Sequence, residues 1–160
     1  MTSSRTTVRL FLALFLSSAP FLAIAQETDS QRLKFTNPKT VHAPFGYTHV
    51  VESKGGRTLY VSGQVGLDLS GNLVGASFPA QTQQAFENLK AVLEGAGASF
   101  KDVVKLNIHV VDISQLPAFR EVRDKYIDTA NPPASTAVEV SKLYAPEVLI
   151  EIDAVAVVPE

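Results

Sequence analysis

The segment VLIEIDAVAVV, residues 148–158, decides the fold of this chain of 160 residues. Along a strand, successive side chains point to opposite faces of the sheet. Ile150 and Ile152 begin an apolar set on one face, whereas Val155 and Val157 are apolar on the other. A strand with this pattern belongs to a sheet that is covered on both sides.

The other helices and strands are predicted outward from this segment. Residues 80–96 and 114–126 each carry one apolar stripe at helical spacing. Further strands are predicted at 49–53, 58–64, 103–111 and 134–140, with a glycine turn at 54–57. The order β-β-α-β-α-β-β predicts an α+β domain with a mixed sheet and both helices on one face. Two helices suffice for one face only, so we expect the other face to pack against another subunit.

The first 25 residues have the layout of a secretory signal peptide. Arg5 and Arg9 form a positive start, residues 10–25 form an apolar run, and Ala23-Ile24-Ala25 offers the small residues that signal peptidase accepts. The alternative is an uncleaved membrane anchor, which needs about 20 apolar residues, and this run has 16 with a proline inside. We therefore expect cleavage, no stable membrane anchor, and a protein that is exported, either periplasmic or secreted.

Residues 26–35 are polar and are predicted to form a flexible leader, and residues 36–160 are predicted to form one domain. Residues 26–160 carry 12 basic and 16 acidic side chains, a formal charge of −4, and the basic ones are scattered. A domain that binds nucleic acid usually presents a basic face, so we expect no nucleic-acid partner. The chain has no cysteine, which suits an oxidising compartment and excludes a disulfide.

The familiar catalytic and metal-binding motifs are absent from the sequence. It holds no phosphate-binding glycine loop, no H-E-x-x-H, no G-x-S-x-G and no C-x-x-C. His42, His49 and His109 lie far apart, without the spacing of metal ligands. We therefore predict neither a metal site nor a cofactor.

Two features of the predicted strands remain as candidates for chemistry. Glu151 and Asp153 share one face of the last strand, with Cα atoms about 7 Å apart. Carboxylates among apolar neighbours are costly unless they are paired or used, so this pair is either a solvated stripe at a sheet edge or a functional acid. Gly63, in the sequence Ser62-Gly63-Gln64, lets a ligand or another backbone come close because it has no Cβ.

Four segments occur in a specific order: residues 59–64 (LYVSGQ), residues 81–97 with Asn88-Leu89-Lys90, Pro133-Ala134 followed by residues 138–140 (VEV), and residues 150–156 (IEIDAVA). Together they resemble the Rid family of reactive intermediate deaminases, also called the YjgF or L-PSP family, over about residues 36–158. The resemblance implies a chorismate-mutase-like fold. It also implies a homotrimer whose sheets form a central barrel, with clefts between subunits, which agrees with the two-sided sheet.

The resemblance also implies a reaction and the residues that carry it. The best-known members of the family hydrolyse reactive enamines and imines, release ammonia, and use neither metal nor cofactor. The glutamate that positions the water corresponds to Glu151. Tyr47, Ser62 and Gly63 correspond to positions that line the cleft and contact the substrate.

One position departs from the family pattern. The arginine that grips the substrate carboxylate is replaced by Ser135, and the position two residues later, often cysteine, is Ala137. Serine cannot replace a bidentate, permanently charged guanidinium. The chain therefore resembles a subgroup that lacks this arginine, with little expected activity on simple 2-imino acids. Arg123 and Arg120, in the second predicted helix, are either a substitute clamp or solvated charges on the helix surface.

These observations leave two functions open. The first is a Rid-like small-molecule hydrolase or deaminase that acts on an enamine, an imine or a related metabolite in a cleft between subunits, with Glu151 as general acid/base. The alternative is a homotrimer that binds a small metabolite without turning it over. The ribonuclease activity that some family names suggest is disfavoured by the negative charge and the scattered basic residues.

Overall fold

The structure, a computed structural model, describes residues 32–160. The predicted signal peptide and most of the predicted leader lie outside the described residues. The elements in chain order are β1 (Leu33–Thr36), β2 (Val50–Ser53), β3 (Arg57–Gln64), α1 (Phe78–Gly95), β4 (Val103–Val110), α2 (Leu116–Arg123), β5 (Ala134–Glu139) and β6 (Ile150–Val158). Apart from β1, this is the predicted order. Within residues 32–160, no helix is both long enough and apolar enough to cross a membrane.

The main sheet has four strands in the order β3-β6-β4-β5. β6 pairs antiparallel with β3 on one edge and with β4 on the other, whereas β4 and β5, which are joined through α2, run parallel. The strand with apolar residues on both faces therefore lies in the interior of the sheet. The predicted mixed sheet and the α+β class are confirmed.

Both helices cover the same face of the main sheet, as predicted. The buried stripe of α1 includes Phe86, Leu89 and Leu93. Phe119 of α2 packs beside it, with 5.9 Å between the ring centroids of Phe86 and Phe119. These side chains share one hydrophobic core with Ile152 and its apolar neighbours on β4 and β6.

The face of the main sheet opposite the helices is uncovered within the described chain except at the end of β6, where Val157 is buried. Tyr60 of β3 is 83% exposed there, and Val138 of β5 is 39% exposed. Val155 of β6 lies beside Tyr60 and is only half-buried. An uncovered face with apolar side chains matches the two-sided sheet that the sequence predicts.

α2 is shorter than the predicted helix over residues 114–126. Residues Ile113–Gln115 form a 3-10 turn instead, because the Asp112 carboxylate accepts hydrogen bonds from the amide and the hydroxyl of Ser114, at 2.9 and 2.6 Å. After Arg123 the amides of Lys125 and Tyr126 donate to carbonyl oxygens only three residues earlier. The helix is therefore confined to the part that packs on α1.

β1 lies partly within the predicted leader, so residues 33–35 are strand instead. It pairs antiparallel with β2 in a separate two-stranded sheet. The turn at 54–57 therefore does not join a paired hairpin, because β3 pairs with β6. Gly56 has a φ of 92°, and a Cβ there would lie 2.5 Å from the carbonyl oxygen of Val158. The turn thus packs closely on the end of β6.

Candidate functional site

Glu151 lies on the uncovered face, next to an irregular point in β3. The pairing of β3 with β6 is interrupted between Val61 and Gln64, so β3 bulges at Ser62 and Gly63. A Cβ built on Gly63 would lie 1.8 Å from Oε1 of Glu151 and 2.6 Å from its Cδ. Only glycine at this position leaves room for the carboxylate against β3. We call the surface of Ser62, Gly63 and Glu151 the acid face.

The two carboxylates of β6 have different partners. Asn107 donates a hydrogen bond from Nδ2 to Oδ1 of Asp153 at 2.8 Å, and Nδ1 of His109 lies 4.0 Å from Oδ2 of Asp153. Within the part of the chain that the structure describes, the Glu151 carboxylate accepts no hydrogen bond. Because β6 is an interior strand, the pair is not a solvated stripe at a sheet edge. Asp153 is held by its neighbours, and Glu151 is available to a ligand.

Gln81 of α1 holds the chain that leads into β6. Its side chain is fully buried, with Nε2 donating to the carbonyl oxygen of Glu147 at 2.9 Å and Oε1 accepting from the amide of Leu149 at 2.8 Å. The segment just before Glu151 is thereby tied to the helix. Sequence reasoning did not find this role, because the partners lie more than 60 residues away.

Asn88, also on α1, has the corresponding role for the chain that leaves β3. Its Nδ2 donates to the carbonyl oxygens of Val65 and Leu67, at 2.9 and 2.8 Å. The loop that follows Gly63 is fixed by these two bonds. The acid face is therefore held at both ends by amide side chains of one helix.

Four of the predicted binding residues border one pocket of about 200 Å³, which we call the arginine pocket. Ser135 and Ala137 of β5 are paired with core residues of β4, which places them on the helix side of the sheet. Tyr47 and Arg123 complete the predicted set. The remaining walls are Phe45, Gly46, Leu116, Phe119 and Arg120. None of these residues belongs to the acid face, so the predicted site is divided between two surfaces of the chain.

Arg123 is not the solvated surface charge that its helix position suggests. It is 6% exposed, and its Nε and Nη2 contact Oδ1 of Asp124 at 2.8 and 2.7 Å. Its Nη1 donates to the carbonyl oxygen of Gly46 at 2.8 Å. A Cβ on Gly46 would lie 2.7 Å from Nη2, so glycine lets this loop rest on the guanidinium. Arg123 joins the loop to α2, and Asp124 balances its charge.

Arg120, nearly one turn earlier on α2, has a different environment. Its guanidinium carbon lies 5.1 Å from the centre of the Phe45 ring, and Phe45 is 74% exposed. Within residues 32–160, the Arg120 side chain forms no hydrogen bond or ion pair. The arginine pocket thus contains one cation that is neutralised and one that is held only by an aromatic face.

The loop before β2 brings two histidines together. Nε2 of His42 lies 2.8 Å from the hydroxyl of Tyr47, and Nε2 of His49 lies 3.0 Å from the carbonyl oxygen of His42. The prediction that the histidines lie far apart is therefore wrong for this pair, because the loop folds back on itself. His109 stays separate on β4. In the described range 32–160, no three histidine, cysteine or acidic side chains are grouped so that they could hold a metal ion.

Comparison with known proteins shows which family the chain belongs to. The family model described as Endoribonuclease L-PSP matches residues 38–158. A RutC family protein of Saccharolobus solfataricus is 45% identical over 104 residues, which are 64% of this chain and 81% of the relative. The 2-iminobutanoate/2-iminopropanoate deaminase of Homo sapiens is 37% identical over 102 residues, which are 63% of this chain and 73% of the relative.

Solved structures show the same fold. A Rid family protein from Yersinia pestis matches with a TM-score of 0.72 and 40% identity, covering 79% of this chain and 99% of that one. RidA from an Antarctic Psychrobacter matches with a TM-score of 0.61 and 34% identity, covering 78% of this chain and 98% of that one. The chorismate-mutase-like fold implied by the sequence is confirmed. With its family model, its relatives and its fold in agreement, the chain belongs to the endoribonuclease L-PSP family, also called the Rid or YjgF family.

Proposed function

We propose that this protein is a small-molecule hydrolase that deaminates an enamine or an imine, with Glu151 as its general acid/base. One observation carries the proposal. The Glu151 carboxylate rests against Gly63 on an uncovered sheet face and accepts no hydrogen bond within residues 32–160. A carboxylate that is positioned but not neutralised can exchange protons with a water or a substrate. The human relative, named as an iminobutanoate and iminopropanoate deaminase, supports this class of reaction.

Hydrolysis of an imine needs a group that first takes a proton and then returns it. The ionised Glu151 takes a proton from a water while the water oxygen bonds to the imine carbon, and the carboxyl group then protonates the nitrogen. The hydroxyl of the tetrahedral intermediate becomes a carbonyl as the C–N bond breaks, and its proton leaves with the nitrogen as ammonia. An enamine enters the same route once its carbon gains a proton and its nitrogen loses one, which gives the imine.

We propose that the working site forms between subunits of a homotrimer. The acid face and the arginine pocket lie on opposite sides of the main sheet, so one chain does not bring Glu151 to Ser135. The family resemblance implies that the uncovered face is the subunit contact, and its exposed Tyr60 supports this arrangement. Light scattering should give about three times the chain mass. A stable monomer at micromolar concentration would contradict both the assembly and the cleft.

RNA is not the substrate that we propose, although the family model carries an endoribonuclease name. Residues 26–160 have a formal charge of −4 with scattered basic residues. RNA-binding surfaces instead offer many contacts to phosphates and aromatic platforms for unstacked bases. Of the two arginines in the pocket, one is already paired with Asp124.

We also propose that the protein is exported. The support is the layout of residues 1–25, in which a positive start, an apolar run and a small-residue cleavage site follow one another. Mass spectrometry of the protein from its native host should find an N-terminus at Gln26. A cytosolic protein that retains Met1 would refute export and leave the enzymatic proposal untouched.

Glu151→Gln tests the catalytic proposal, with Asp153→Asn as the matched control on the same strand face. Glutamine keeps the shape but cannot take a proton, so ammonia release from a panel of imines should fall by about 10²–10⁴. The trimer mass and the melting temperature should stay unchanged. Asp153→Asn should retain most of the turnover, because Asp153 is engaged with Asn107.

The panel also separates the proposal from its alternative. Undiminished turnover in a folded Glu151→Gln protein would place the chemistry elsewhere. If the wild type binds panel compounds but releases no ammonia from any of them, the protein is a binding trimer and not a deaminase.

A further inference from the structure

We infer that Arg120, and not Arg123, binds an acidic group of the substrate, and that this group lies at least one carbon farther from the imine carbon than in a 2-imino acid. The inference deepens the proposed function and rests on it for the reaction, although the binding itself can be measured separately. It follows from how the two arginines of the arginine pocket are partnered.

Arg123 is already committed within the fold. Its Nε and Nη2 contact Asp124, and its Nη1 donates to Gly46. A substrate anion bound there would lie next to the Asp124 carboxylate, and two like charges at short range repel each other. To release Arg123 for a ligand, the loop at Gly46 would have to leave α2. Arg123 therefore acts as a structural tie.

Arg120 has the opposite character. Only the Phe45 ring holds its guanidinium, and all five N–H groups are without a protein acceptor among residues 32–160. Arg120 is nonetheless half-buried in the pocket wall. A cation that is partly removed from water without an acidic partner indicates a place for an anion.

The charge balance of the pocket supports the same conclusion. In the described part of the chain, the lining of the arginine pocket contains two arginines and no acidic side chain. Asp124 and Glu121 line an adjacent cavity of about 260 Å³, which Arg120 and Arg123 also border. Asp124 is paired with Arg123, and Glu121 is exposed to solvent. Among residues 32–160 neither carboxylate forms an ion pair with Arg120, so the charge of Arg120 has no acidic partner.

The position of Arg120 determines which anions fit. An arginine at position 135 would extend from β5, whereas Arg120 extends from α2, on another wall of the same pocket. The acidic group is therefore held away from the place that a 2-imino acid carboxylate would take. The rest of the pocket lining includes the apolar residues Phe45, Leu116 and Phe119. These walls suit a short hydrocarbon chain. The substrate class is an imine with a remote acidic group and an apolar body.

Calorimetric binding of three ketones, which stand in for the carbonyl products, tests this inference. The probes are 4-oxopentanoate with a remote carboxylate, 2-oxobutanoate with an adjacent one, and neutral butanone. Wild-type protein should bind 4-oxopentanoate most tightly. Arg120→Gln should weaken that binding by about tenfold or more, the effect of losing a charged hydrogen bond, and should leave butanone unchanged. Arg120→Lys keeps the charge but not the two-pronged hydrogen bonding of arginine, so its affinity for 4-oxopentanoate should lie between those of the wild type and Arg120→Gln.

Two further variants control for folding and for general charge. Arg123→Gln should lower the melting temperature but keep the preference for 4-oxopentanoate over butanone. Lys125→Gln, which removes an exposed charge outside the pocket lining, should change neither.

The inference is overturned if folded Arg120→Gln binds 4-oxopentanoate as tightly as the wild type does. It is equally overturned if the wild type prefers 2-oxobutanoate, or if Arg123→Gln and not Arg120→Gln removes the preference for the acid. Repeating the titrations in Glu151→Gln separates binding from catalysis. A failure of the catalytic proposal and a failure of this inference therefore give different results.

Discussion

The acid face and the arginine pocket differ in what holds them in place. The acid face lies on the interior strand β6 and its partner β3, where Gly63 leaves room for the Glu151 carboxylate, and amide side chains of α1 fix the chain at both ends. The arginine pocket lies between a loop, a helix and an edge strand, and its cations are arranged by contacts with Phe45 and Gly46. The group proposed for the chemistry is thus built into the sheet, whereas the groups proposed for selection lie on peripheral elements.

The family resemblance implies that the chain keeps the glutamate and lacks the arginine, and this difference gives a physical reason for such a pattern. Changing Glu151 or Gly63 would alter a contact inside the sheet, where each atom is close to the next. Position 135 faces a pocket on an edge strand, so an arginine can be replaced by serine there without disturbing the core. A residue on another wall of the arginine pocket can then select the substrate, while the proposed catalytic residue, Glu151, is unchanged.

Gly63→Ala should break the acid face and spare the arginine pocket. The new Cβ cannot coexist with Oε1 of Glu151 in its present place, so the carboxylate must move. A displacement of about 1 Å can cost about 100-fold in rate, which ammonia release would show. Binding of 4-oxopentanoate at the arginine pocket of the subunit should change much less.

The matched control for this substitution is Gly95→Ala, at the end of α1, where a Cβ meets nothing within 4 Å. It should leave the rate unchanged and should not lower stability. Equal rates for Gly63→Ala and the wild type would show that the contact between Gly63 and Glu151 has no role in the chemistry.

Gln81→Leu should remove the hydrogen bonds that fix the chain just before β6 and Glu151. Leucine removes the partners of the Leu149 amide and the Glu147 carbonyl, both in partly buried hydrogen bonds, and an unpaired group costs up to about 1–3 kcal/mol when it is buried. Chemical denaturation should therefore show a free energy of unfolding lower by about 1–3 kcal/mol. Gln84→Leu removes a single bond to the Asn88 side chain and should cost less. If the two variants are equally stable, the bonds of Gln81 to the chain before β6 contribute no more to stability than the single bond of Gln84.

Ser135→Arg changes the arginine pocket and leaves the acid face as it is. An arginine on β5 restores a fork for a carboxylate next to the reacting carbon, so ammonia release from 2-iminobutanoate should rise by about tenfold. Ser135→Lys, which adds a point charge without the fork, should give a smaller gain. A wild-type protein that already turns over 2-iminobutanoate as fast as Ser135→Arg would show that position 135 does not limit this substrate.

The smallest expected effect concerns Asp112, at the start of the segment that carries both arginines. The hydrogen bond from the Ser114 hydroxyl, followed by that from its amide, holds the pKa of Asp112 below its usual value. The ionised carboxylate therefore stabilises the fold above the unfolded-state pKa of about 3.9, and this contribution is lost as the pH falls through the lower folded-state pKa. Asp112→Asn should melt slightly below the wild type at pH 7.

The difference in melting temperature between Asp112→Asn and the wild type should shrink as the pH falls through this acid range. A difference that stays constant with pH would mean that the charge of Asp112 does not contribute and that only its capping geometry matters. In either case the pH dependence of the acid face should not be altered, since the Asp112 carboxylate bonds to Ser114 and Gln115 and to no residue of the acid face.

The elements with a strong repeating pattern could be predicted from the sequence alone. The stripe of α1 and the alternation along β6 follow from helical and strand periodicity, which each segment carries within itself. Glu151 and Gly63 stood out for the same local reason, a carboxylate among apolar neighbours and a glycine inside a strand. The family resemblance added their roles. The sequence therefore determined the class of the fold and the candidate acid.

Only the tertiary structure decided which segments meet. β1 has four residues and gains its place by pairing with β2, and His42 reaches Tyr47 because a loop folds back. The two arginines of α2 look alike in sequence, yet one is buried with Asp124 and the other is held by Phe45. Pairing, burial and charge balance depend on partners that are distant along the chain. No local pattern can carry that information, so the division into an acid face and an arginine pocket became visible only in the fold.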